Sequence, residues 1–311
     1  MMKDDLIRHY AMLPQGSRIL CAVSGGADSM CLLHWLNELR ETYGFSLFAA
    51  HFEHGLRGEE SLRDAEFTAE QCRRLGISCS VGHGNVSAYA EQQHLGTEDA
   101  ARALRYRFLE ETADRLNCDR IATAHNLNDN AETVLMNLCR GAGTRGLAGI
   151  PPVRGRLIRP LLQTSREEVE EYLTEHGIPH IEDSSNEIDS YTRNRIRHQM
   201  IPLLIRENPS FLKAIGRTTE ILREDDACLC REAEAFLHTY EDNGTIPAKR
   251  LMELEPAVAV RVIRLLCGSG VSLERAQALL AFAKGTERGV LEIPGRKIRR
   301  EHGLLYFQNR N

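Results

Sequence analysis

The chain of 311 residues lacks any apolar run of the roughly eighteen residues that a membrane-spanning helix needs. Its first residues, MMKDDLIRHYAMLPQG, also lack the apolar core of a secretory signal peptide. The balance of 42% apolar and 27% charged residues is ordinary for a water-soluble protein. We therefore expect a cytoplasmic protein that has no membrane partner.

Cysteine pairs with the spacing of a metal site are absent as well. The nine cysteines include no C-x-x-C, and the only close pair is the C-x-C of Cys228 and Cys230. Neither a disulfide framework nor a zinc ribbon is indicated. We expect buried or inert thiols, as in ordinary intracellular proteins.

The chain also lacks a Walker A sequence, G-x-x-x-x-G-K-S/T, and with it the lysine that reaches the terminal phosphates of a nucleotide. A different glycine turn is present in ILCAVSGGADSMCLLHWL (19–36), where Gly25 and Gly26 join an apolar run to a helix-like run. Free amides in such a turn favour an anion. Asp28 suits that place if Mg²⁺ bridges it to phosphate oxygens. The alternative is that Asp28 only caps the helix.

Short apolar or β-branched runs recur at 18–23, 46–52, 77–81 and 120–125, separated by stretches with helical spacing. This alternation predicts an α/β fold with a doubly wound parallel sheet, whose ligands bind beyond the carboxyl ends of the strands. Past residue 211 the pattern becomes helical until a basic segment near the end. We therefore expect a catalytic domain over 1–214 and a smaller, mainly helical domain over 215–311 with a terminal hairpin.

The net charge of −5 excludes a protein coated in basic surface, but the arginines are unevenly distributed. Residues 133–166 contain six arginines and no acid or lysine, and residues 191–206 contain four arginines and no acid. Such segments suit a local face for phosphates. Pairing with acids elsewhere in the fold is the alternative for either segment.

Several motifs in order make the chain resemble one family. S-G-G-x-D-S after an apolar strand is the signature of the PP-loop, or N-type, ATP pyrophosphatases, a Rossmann-like superfamily. Within it, the tRNA(Ile)-lysidine synthetases are similar to this chain over roughly residues 18 to 206. The matching segments are HFEHGLRGEES (51–61), EDAARALRYRFL (98–109), ATAHNLNDNAETVLMNLCRGAGTRGLAGIPP (122–152), RPLL (159–162), EDSSN (182–186) and TRNRIRHQMIPLL (192–204).

The resemblance implies a two-step reaction that uses ATP and Mg²⁺. The substrate would be the isoleucine tRNA with a CAU anticodon. ATP would adenylate the C2 oxygen of its wobble cytidine, and free L-lysine would then displace AMP through its ε-amine. A tRNA thiolase of the same superfamily and a non-catalytic nucleotide-binding module are the alternatives, and the lack of clustered cysteines disfavours the thiolase. The sequence leaves a homodimer open.

The resemblance also assigns candidate residues. The nucleotide-binding set comprises Ser24, Gly25, Gly26, Ala27, Asp28, Ser29, His51, His54, Arg57 and His125. The catalytic set comprises Asp28, Arg102, Arg105, Asp129, Glu132 and Arg195, of which Asp28 and Asp129 are the metal candidates. Two positions depart from the family, which often has paired aspartates at Asn128-Asp129 and glutamine at Asn130.

Each of these assignments has a structural alternative. Asp129 could be a helix N-cap with Glu132 as its capping-box partner. Arg102 and Arg105 lie one turn apart on a predicted helix. They could bind a phosphate or an oxyanion together. The alternative is that both belong to a solvent-exposed helix face with salt bridges. His51 and His54 have no third ligand nearby, so zinc is disfavoured.

The remaining roles are looser. Glu132 could serve the incoming lysine or orient the reacting base. Arg195, with Arg193 and Arg197, is predicted to stabilise charge during adenylation or to bind tRNA phosphates. Arg296, Lys297, Arg299 and Arg300 in the terminal hairpin are predicted to contact the tRNA backbone.

Overall fold

The computed structural model describes residues 2, 4–53, 55, 59–182, 192–268, 270–285 and 288–309. The chain divides into two compact units, Met1–Thr219 and Glu220–Asn311. The sequence places its domain boundary at residue 214, five residues before the end of the first unit. No helix in the described ranges is long and apolar enough to cross a membrane.

A six-stranded sheet forms the centre of the first unit. Its strands are β1 (Arg18–Ala22), β2 (Ser46–Glu53), β3 (Cys79–His83), β4 (Arg120–Ala122), β5 (Val153–Arg154) and β6 (Leu157–Ile158). Their order is β3-β2-β1-β4-β6-β5, and every neighbouring pair is parallel except β5 with β6. The predicted doubly wound parallel sheet is confirmed. The short strands β5 and β6 are not predicted from the sequence.

Side chains of each strand alternate between two cores, as the two-residue period of a strand requires. Ile19 and Cys21 belong to one hydrophobic cluster, and Leu20 between them belongs to another on the opposite face. Ile121 and the adjacent Ala122 are divided in the same way. Both faces of the sheet are therefore covered by helices, which explains why its strands read as nearly continuous apolar runs.

Helices connect the strands of this unit. They are α1 (Asp5–His9), α2 (Ala27–Tyr43), α3 (Glu59–Arg74), α4 (Val86–Gln93), α5 (Thr97–Arg115), α6 (Leu127–Cys139), α7 (Thr144–Leu147), α8 (Arg166–Glu175), α9 (Thr192–Arg195) and α10 (Ile201–Glu207), with a π-helical turn at Ile196–Met200. Helix α11 (Phe211–Tyr240) contains the point at which the two units divide. The strand order reverses between β1 and β4, so the turns leading into α2 and α6 meet at one edge of the sheet.

The second unit combines helices with a small antiparallel sheet. Its helices after α11 are α12 (Ala248–Met252), α13 (Pro256–Cys267) and α14 (Leu273–Lys284). Its strands β7 (Thr245–Pro247), β8 (Gly289–Ile293), β9 (Arg296–Glu301) and β10 (Leu304–Asn309) pair in the order β7-β10-β9-β8. The predicted terminal hairpin is thus part of a four-stranded sheet, in which β7 is a strand that the sequence pattern misses.

Candidate active site

A pocket of about 900 Å³ opens at the edge where β1 and β4 end. Its walls include residues of the glycine turn and of both predicted metal positions: Ser24, Gly26, Ala27, Asp28, Ser29 and Asp129. Parallel α/β sheets bind ligands at this kind of topological switch point. The predicted nucleotide-binding turn and the predicted acids therefore share one cavity.

Ser29 shapes the glycine turn from inside. Its hydroxyl accepts a hydrogen bond from the Ser24 backbone N–H at 3.1 Å and donates one to the Gly26 carbonyl at 2.9 Å. Gly25 has a φ of +92°, which side chains of L-residues rarely adopt, and a Cβ there would lie 2.7 Å from Ile181 Cδ1. The turn thus requires both the small hydroxyl and the glycine that the sequence places there.

Asp28 lies in the first turn of α2, one residue past its first residue Ala27, and the N-cap is Gly26. The alternative of Asp28 as the cap is therefore wrong. Asp28 Oδ1 accepts a hydrogen bond from Asn126 Nδ2 at 3.0 Å, and Oδ2 accepts one from Arg166 Nη1 at 2.8 Å. Both carboxylate oxygens point to groups from other elements instead of to the backbone of α2.

Asp129 is the third residue of α6, and Asn126 is its N-cap. Asn126 Oδ1 accepts from the Asp129 N–H at 3.0 Å, and Asp129 Oδ2 accepts from the Asn126 N–H at 3.1 Å. This capping box replaces the predicted one, in which Asp129 was the cap and Glu132 its partner. Because Asn126 also donates to Asp28, one side chain joins the two acids.

Glu132 is fully buried and is paired with two arginines. Arg197 Nε donates to Glu132 Oε1 at 2.5 Å, and Arg193 Nε lies 3.5 Å from Oε2. Arg197 Nη2 also donates to Asp129 Oδ1 at 3.2 Å. Burial lowers the pKa of Arg197, but hydrogen bonding to Glu132 and the charges of Glu132 and Asp129 outweigh burial and raise it overall. Arg197 is thus a permanent cation between two carboxylates.

The surroundings of Asp129 shift the pKa of its carboxyl group. Burial, assisted by the negative charge of Glu132, raises the pKa of Asp129 to about 6, although its bond to Asn126 and the charge of Arg197 act in the other direction. A cation near Asp129 would favour its ionised form. The carboxylate is therefore electrostatically suited to receive positive charge.

The two acids fit a magnesium ion that arrives with a polyphosphate. Carboxylate oxygens are the ligands that Mg²⁺ prefers, and Mg²⁺ is typically bound by one or two carboxylates together with phosphate oxygens. Within the described part of the chain, no group of three or more histidine, cysteine, aspartate or glutamate side chains could hold a metal alone. Asp28 and Asp129 thus suit a metal shared with a ligand better than a metal caged by protein.

A second wall of the pocket is strongly basic. The guanidinium groups of Arg102 and Arg105 lie over the ring of Tyr106, 4.9 and 5.7 Å from its centroid. Burial lowers the pKa of Arg105, and the charge of Arg102 adds to that effect. The predicted pair is confirmed as neighbours, and their contacts are with an aromatic ring. No salt bridge of either is found in the described ranges.

His125 also lines the pocket, and its Nδ1 is 3.0 Å from Thr123 Oγ1. Burial is the main cause that lowers the pKa of His125 to about 3. Four cations add to this effect, in the order Arg159, Arg105, Arg102 and Arg193. His125 is therefore a neutral polar group in a positively charged environment that favours anions.

Other predicted residues lie elsewhere. His51 is buried, with its Nδ1 3.0 Å from the Val23 carbonyl, so it supports the end of β1 and is not part of the pocket wall. Arg195 is exposed, and its Nη2 donates to Thr192 Oγ1 at 3.2 Å. His54 and Arg57 are outside the described residues.

Arg166 and Asn126 are site residues that the sequence reasoning does not single out, and it names Arg193 only beside Arg195. Arg193 and Arg197 lie four residues apart and share the face toward the pocket, which excludes Arg195 between them. Asn126, three residues before Asp129, carries the signal of a helix N-cap. Arg166 lies in the first turn of α8, where the helix dipole disfavours a cation. A cation at such a position in the sequence can therefore indicate a functional residue.

The chain was compared with known families and structures. The model of the PP-loop domain family matches residues 2–204. The tRNA(Ile)-lysidine synthase of Thermosipho africanus (strain TCF52B) is 42% identical over 240 residues, which is 77% of this chain and 56% of that protein. The enzyme of the same name from Solibacter usitatus (strain Ellin6076) is 38% identical over 312 residues, 94% of this chain and 68% of that protein.

Among solved structures, the U34-tRNA thiolase NcsA from Methanococcus maripaludis, with its 4Fe–4S cluster, matches with a TM-score of 0.59 and 21% identity. The match covers 68% of this chain and 74% of that one, and it supports the fold alone. The chain spans 56% of the length of several curated relatives that it matches. By its sequence similarity and its PP-loop domain, the chain belongs to the tRNA(Ile)-lysidine synthase family.

Proposed function

We propose that the chain is an ATP-dependent tRNA(Ile)-lysidine synthase. The observation that carries the proposal is that one pocket joins the glycine turn, the acids Asp28 and Asp129, and a basic wall containing Arg102 and Arg105. A nucleotide-binding module that only holds ATP needs the turn and the acids. The basic wall supplies a second anion site beside them, which suits transfer to a phosphate-bearing substrate.

The glycine turn and α2 hold the polyphosphate of ATP. Residues at the start of α2 line the pocket, and a helix N-terminus favours an anion. Asp28 and Asp129 would hold Mg²⁺, which would supply positive charge to neutralise the phosphates. Asn126 keeps the two acids in register by bonding to both.

The reaction follows from the proposed substrates. The C2 oxygen of the wobble cytidine attacks the α-phosphorus of ATP, the bond to the β-phosphate oxygen breaks, and pyrophosphate leaves. The ε-amine of lysine then attacks C2, the C2–O bond breaks, AMP leaves with that oxygen, and the amine loses a proton. Arg102, Arg105 and Arg193 stabilise the negative charge on the transferred phosphate, and neutral His125 can accept or donate a hydrogen bond without adding charge.

Glu132 acts in this proposal through Arg197 and not through the substrate lysine. Its carboxylate is fully buried and both oxygens face arginine, so an incoming ammonium group cannot reach it without breaking those pairs. Asp129 remains the acid of α6 that the pocket exposes. The position of lysine and the oligomeric state stay predictions, as does the cytoplasmic location.

The second unit contributes tRNA contacts in this proposal. In β9, Lys297 and Arg299 are exposed on one face, whereas Arg296 and Arg300 share the face of buried Ile298. The Arg299 guanidinium lies 4.9 Å from the centroid of the Tyr306 ring. A cation stacked on a half-buried ring suits an RNA backbone or an unstacked base.

The proposal is tested by incubating the chain with an unmodified transcript of the CAU-anticodon isoleucine tRNA, ATP and labelled lysine. We expect label in the RNA, with AMP and pyrophosphate formed in equal amounts. A transcript with uridine at the wobble position is the matched control and should remain unlabelled. Label in that control, or release of ADP, would contradict the proposal.

The thiolase alternative has less support from the site. None of the residues lining the described pocket is cysteine, and four of the nine cysteines are buried elsewhere in the first unit. The binding-module alternative predicts ATP binding without exchange of labelled pyrophosphate into ATP in the presence of tRNA. The same preparation can therefore distinguish all three functions.

A further inference from the structure

Arg166 bridges two acids at the rim of the pocket. Its Nη1 donates to Asp28 Oδ2 at 2.8 Å, and its Nε donates to Glu170 Oε1 at 2.8 Å. The side chain is 41% exposed, and both Arg166 and Glu170 line the cavity. The guanidinium thus occupies one oxygen of Asp28 while remaining accessible to a ligand.

The backbone of Arg166 is anchored to the turn that carries Asp129. The Arg166 N–H donates to Asn128 Oδ1 at 3.0 Å, and the Leu127 N–H donates to the Thr164 carbonyl at 2.9 Å. Asn128 therefore accepts a hydrogen bond from the first residue of α8. The side chain of Arg166 can move, but its attachment point is fixed relative to both acids.

The charge at this position is unfavourable for α8 by itself. A cation in the first turn opposes the helix dipole, and burial lowers the pKa of Arg166. The hydrogen bond to Glu170 and the charge of Asp28 outweigh burial and raise that pKa overall. Arg166 is therefore always protonated and is retained at this position by the carboxylates, of which Asp28 is the one that the chemistry needs.

We propose that Arg166 is a resident counterion of Asp28 that is exchanged for the divalent cation and then binds the polyphosphate, and that Asn128 positions it. This inference rests on the proposed function. Asp28 Oδ1 accepts a hydrogen bond from Asn126 and Oδ2 accepts one from Arg166, so a cation that binds Oδ2 is repelled by the adjacent guanidinium and favours its displacement. Phosphate oxygens that arrive with the ion are strong acceptors for the displaced guanidinium.

The exchange has opposite consequences for metal and for polyphosphate. Without nucleotide, Arg166 competes with the metal, so Arg166→Gln should bind Mn²⁺ about 5-fold more tightly. With metal present, the same variant loses a charge-assisted hydrogen bond to phosphate and should bind pyrophosphate about 10- to 100-fold more weakly. Replacing a residue that only supports the fold would not strengthen Mn²⁺ binding while weakening pyrophosphate binding.

The experiment titrates the full chain with Mn²⁺, followed by electron paramagnetic resonance, and then titrates the Mn²⁺-saturated chain with pyrophosphate. Arg74→Gln is the matched control, because Arg74 Nε also bonds to a glutamate four residues away, at 2.9 Å, but outside the pocket. Thermal melting of each variant verifies folding. Arg166→Lys retains the charge and should keep metal affinity near wild type while losing part of the pyrophosphate affinity.

Asn128 provides a test of positioning that does not remove the guanidinium. Asn128→Ala should shift the Mn²⁺ and pyrophosphate affinities in the same directions as Arg166→Gln, with about half the change in the logarithm of each affinity. Asn128→Asp keeps an acceptor oxygen for the Arg166 N–H and should restore wild-type pyrophosphate affinity. Failure of this rescue would overturn the positioning role of Asn128.

Two results overturn the inference alone while leaving the proposed function standing. In one, wild type binds Mn²⁺ and pyrophosphate, and Arg166→Gln matches it in both. In the other, Arg166→Gln weakens both affinities together, which would mean that Arg166 orients Asp28 and does not compete with the metal. If wild type itself binds neither Mn²⁺ nor ATP, the proposed function fails first.

Discussion

The two acid centres of the pocket, Asp28 on α2 and Asp129 with Glu132 on α6, are neutralised in different ways. Asp28 is partly exposed and meets a single arginine, Arg166, whose side chain is also exposed. Glu132 is fully buried and is paired with Arg197 and Arg193. The ion pair of Asp28 is thus accessible to solvent and ligands, whereas the ion pairs of Glu132 are enclosed by the protein.

The difference has a physical basis. A half-exposed ion pair contributes little to stability because water and salt can replace either partner. A carboxylate with no access to water depends on its arginines completely, so removing one partner leaves an uncompensated buried charge. We infer that the α6 centre maintains the shape of the pocket and that the α2 centre exchanges partners with the ligand.

The largest expected effect comes from removing the buried charge. Glu132→Gln should lower the free energy of unfolding of the first unit by about 1–3 kcal/mol, since a fully buried side chain loses its charge-assisted hydrogen bonds to Arg197, which keeps its bond to Asp129. Asp28→Asn should lower it by less than about 1 kcal/mol. Urea titration monitored by fluorescence of Trp35, the single tryptophan, reports on this unit because Trp35 lies in its core.

Asp28→Asn should nevertheless abolish release of pyrophosphate, because the change removes charge and preserves shape. Equal losses of stability in the two variants would break the distinction between a fixed and an exchangeable centre. Near-normal turnover of Asp28→Asn at saturating Mg²⁺ would show that Asp28 does not bind the metal.

The next effect separates neighbouring arginines. Arg193 lines the pocket and Arg195 does not, so Arg193→Ala should lower the rate at saturating tRNA by about 100- to 1000-fold, the usual effect of losing one donor to developing charge. Arg195→Ala should leave that rate within about twofold. Single-turnover measurements of pyrophosphate release on both variants decide between them.

The sequence alone favours Arg195 as the catalytic residue of this segment. A slow Arg195→Ala with a normal Arg193→Ala would support that assignment and would mean that α9 reorients when tRNA binds. Melting curves should accompany the kinetics, because Arg193 also lies 3.5 Å from buried Glu132.

A smaller effect concerns acid stability. The pKa of His125 is about 3 in the folded protein, whereas an unfolded chain has the ordinary value near 6.5. The unfolded state therefore binds the proton first, and stability is lost as the pH falls below about 6.5. Between pH 7 and pH 5 wild type should lose about 2 kcal/mol relative to His125→Gln, at about 1.4 kcal/mol per pH unit.

The measurement is again urea unfolding followed by Trp35 fluorescence at several pH values. His9→Gln, in which an exposed ring is replaced, is the control and should follow wild type at every pH. Parallel curves for wild type and His125→Gln would show that burial and the surrounding arginines do not lower the pKa of His125.

The sequence predicts the sheet and the two acid positions because both depend on local signals. Apolar runs and the glycine turn are readable along the chain, and motif order identifies the family. The arginines that pair with these acids cannot be predicted from local sequence signals. Arg166 meets Asp28 across 138 residues and Arg197 meets Glu132 across 65, so only the fold brings them together.

Local sequence patterns also lead to wrong or incomplete predictions at single residues. Asp129 and Glu132 have the three-residue spacing of a capping box, yet the N-cap is Asn126, whose side chain also donates to Asp28. Arginine spacing in TRNRIRHQ leaves open which residues face the pocket until the helix phase is known. Strands of two or three residues, such as β5 and β7, are too short for a period to be recognised.

The smallest expected effect lies outside the pocket, in the exposed face of β9. Lys297 and Arg299 act through charge if they contact the tRNA backbone, so replacing both with alanine should reduce the salt dependence of tRNA affinity by about one unit of slope per contact. Arg300→Ala, on the opposite face, is the control and should leave the slope unchanged. The rate at saturating tRNA should survive both changes, because none of these three residues lines the pocket. A loss of that rate in the double variant, with an unchanged slope, would place β9 in the catalytic machinery and would end the separation between residues that hold RNA and residues that stabilise charge.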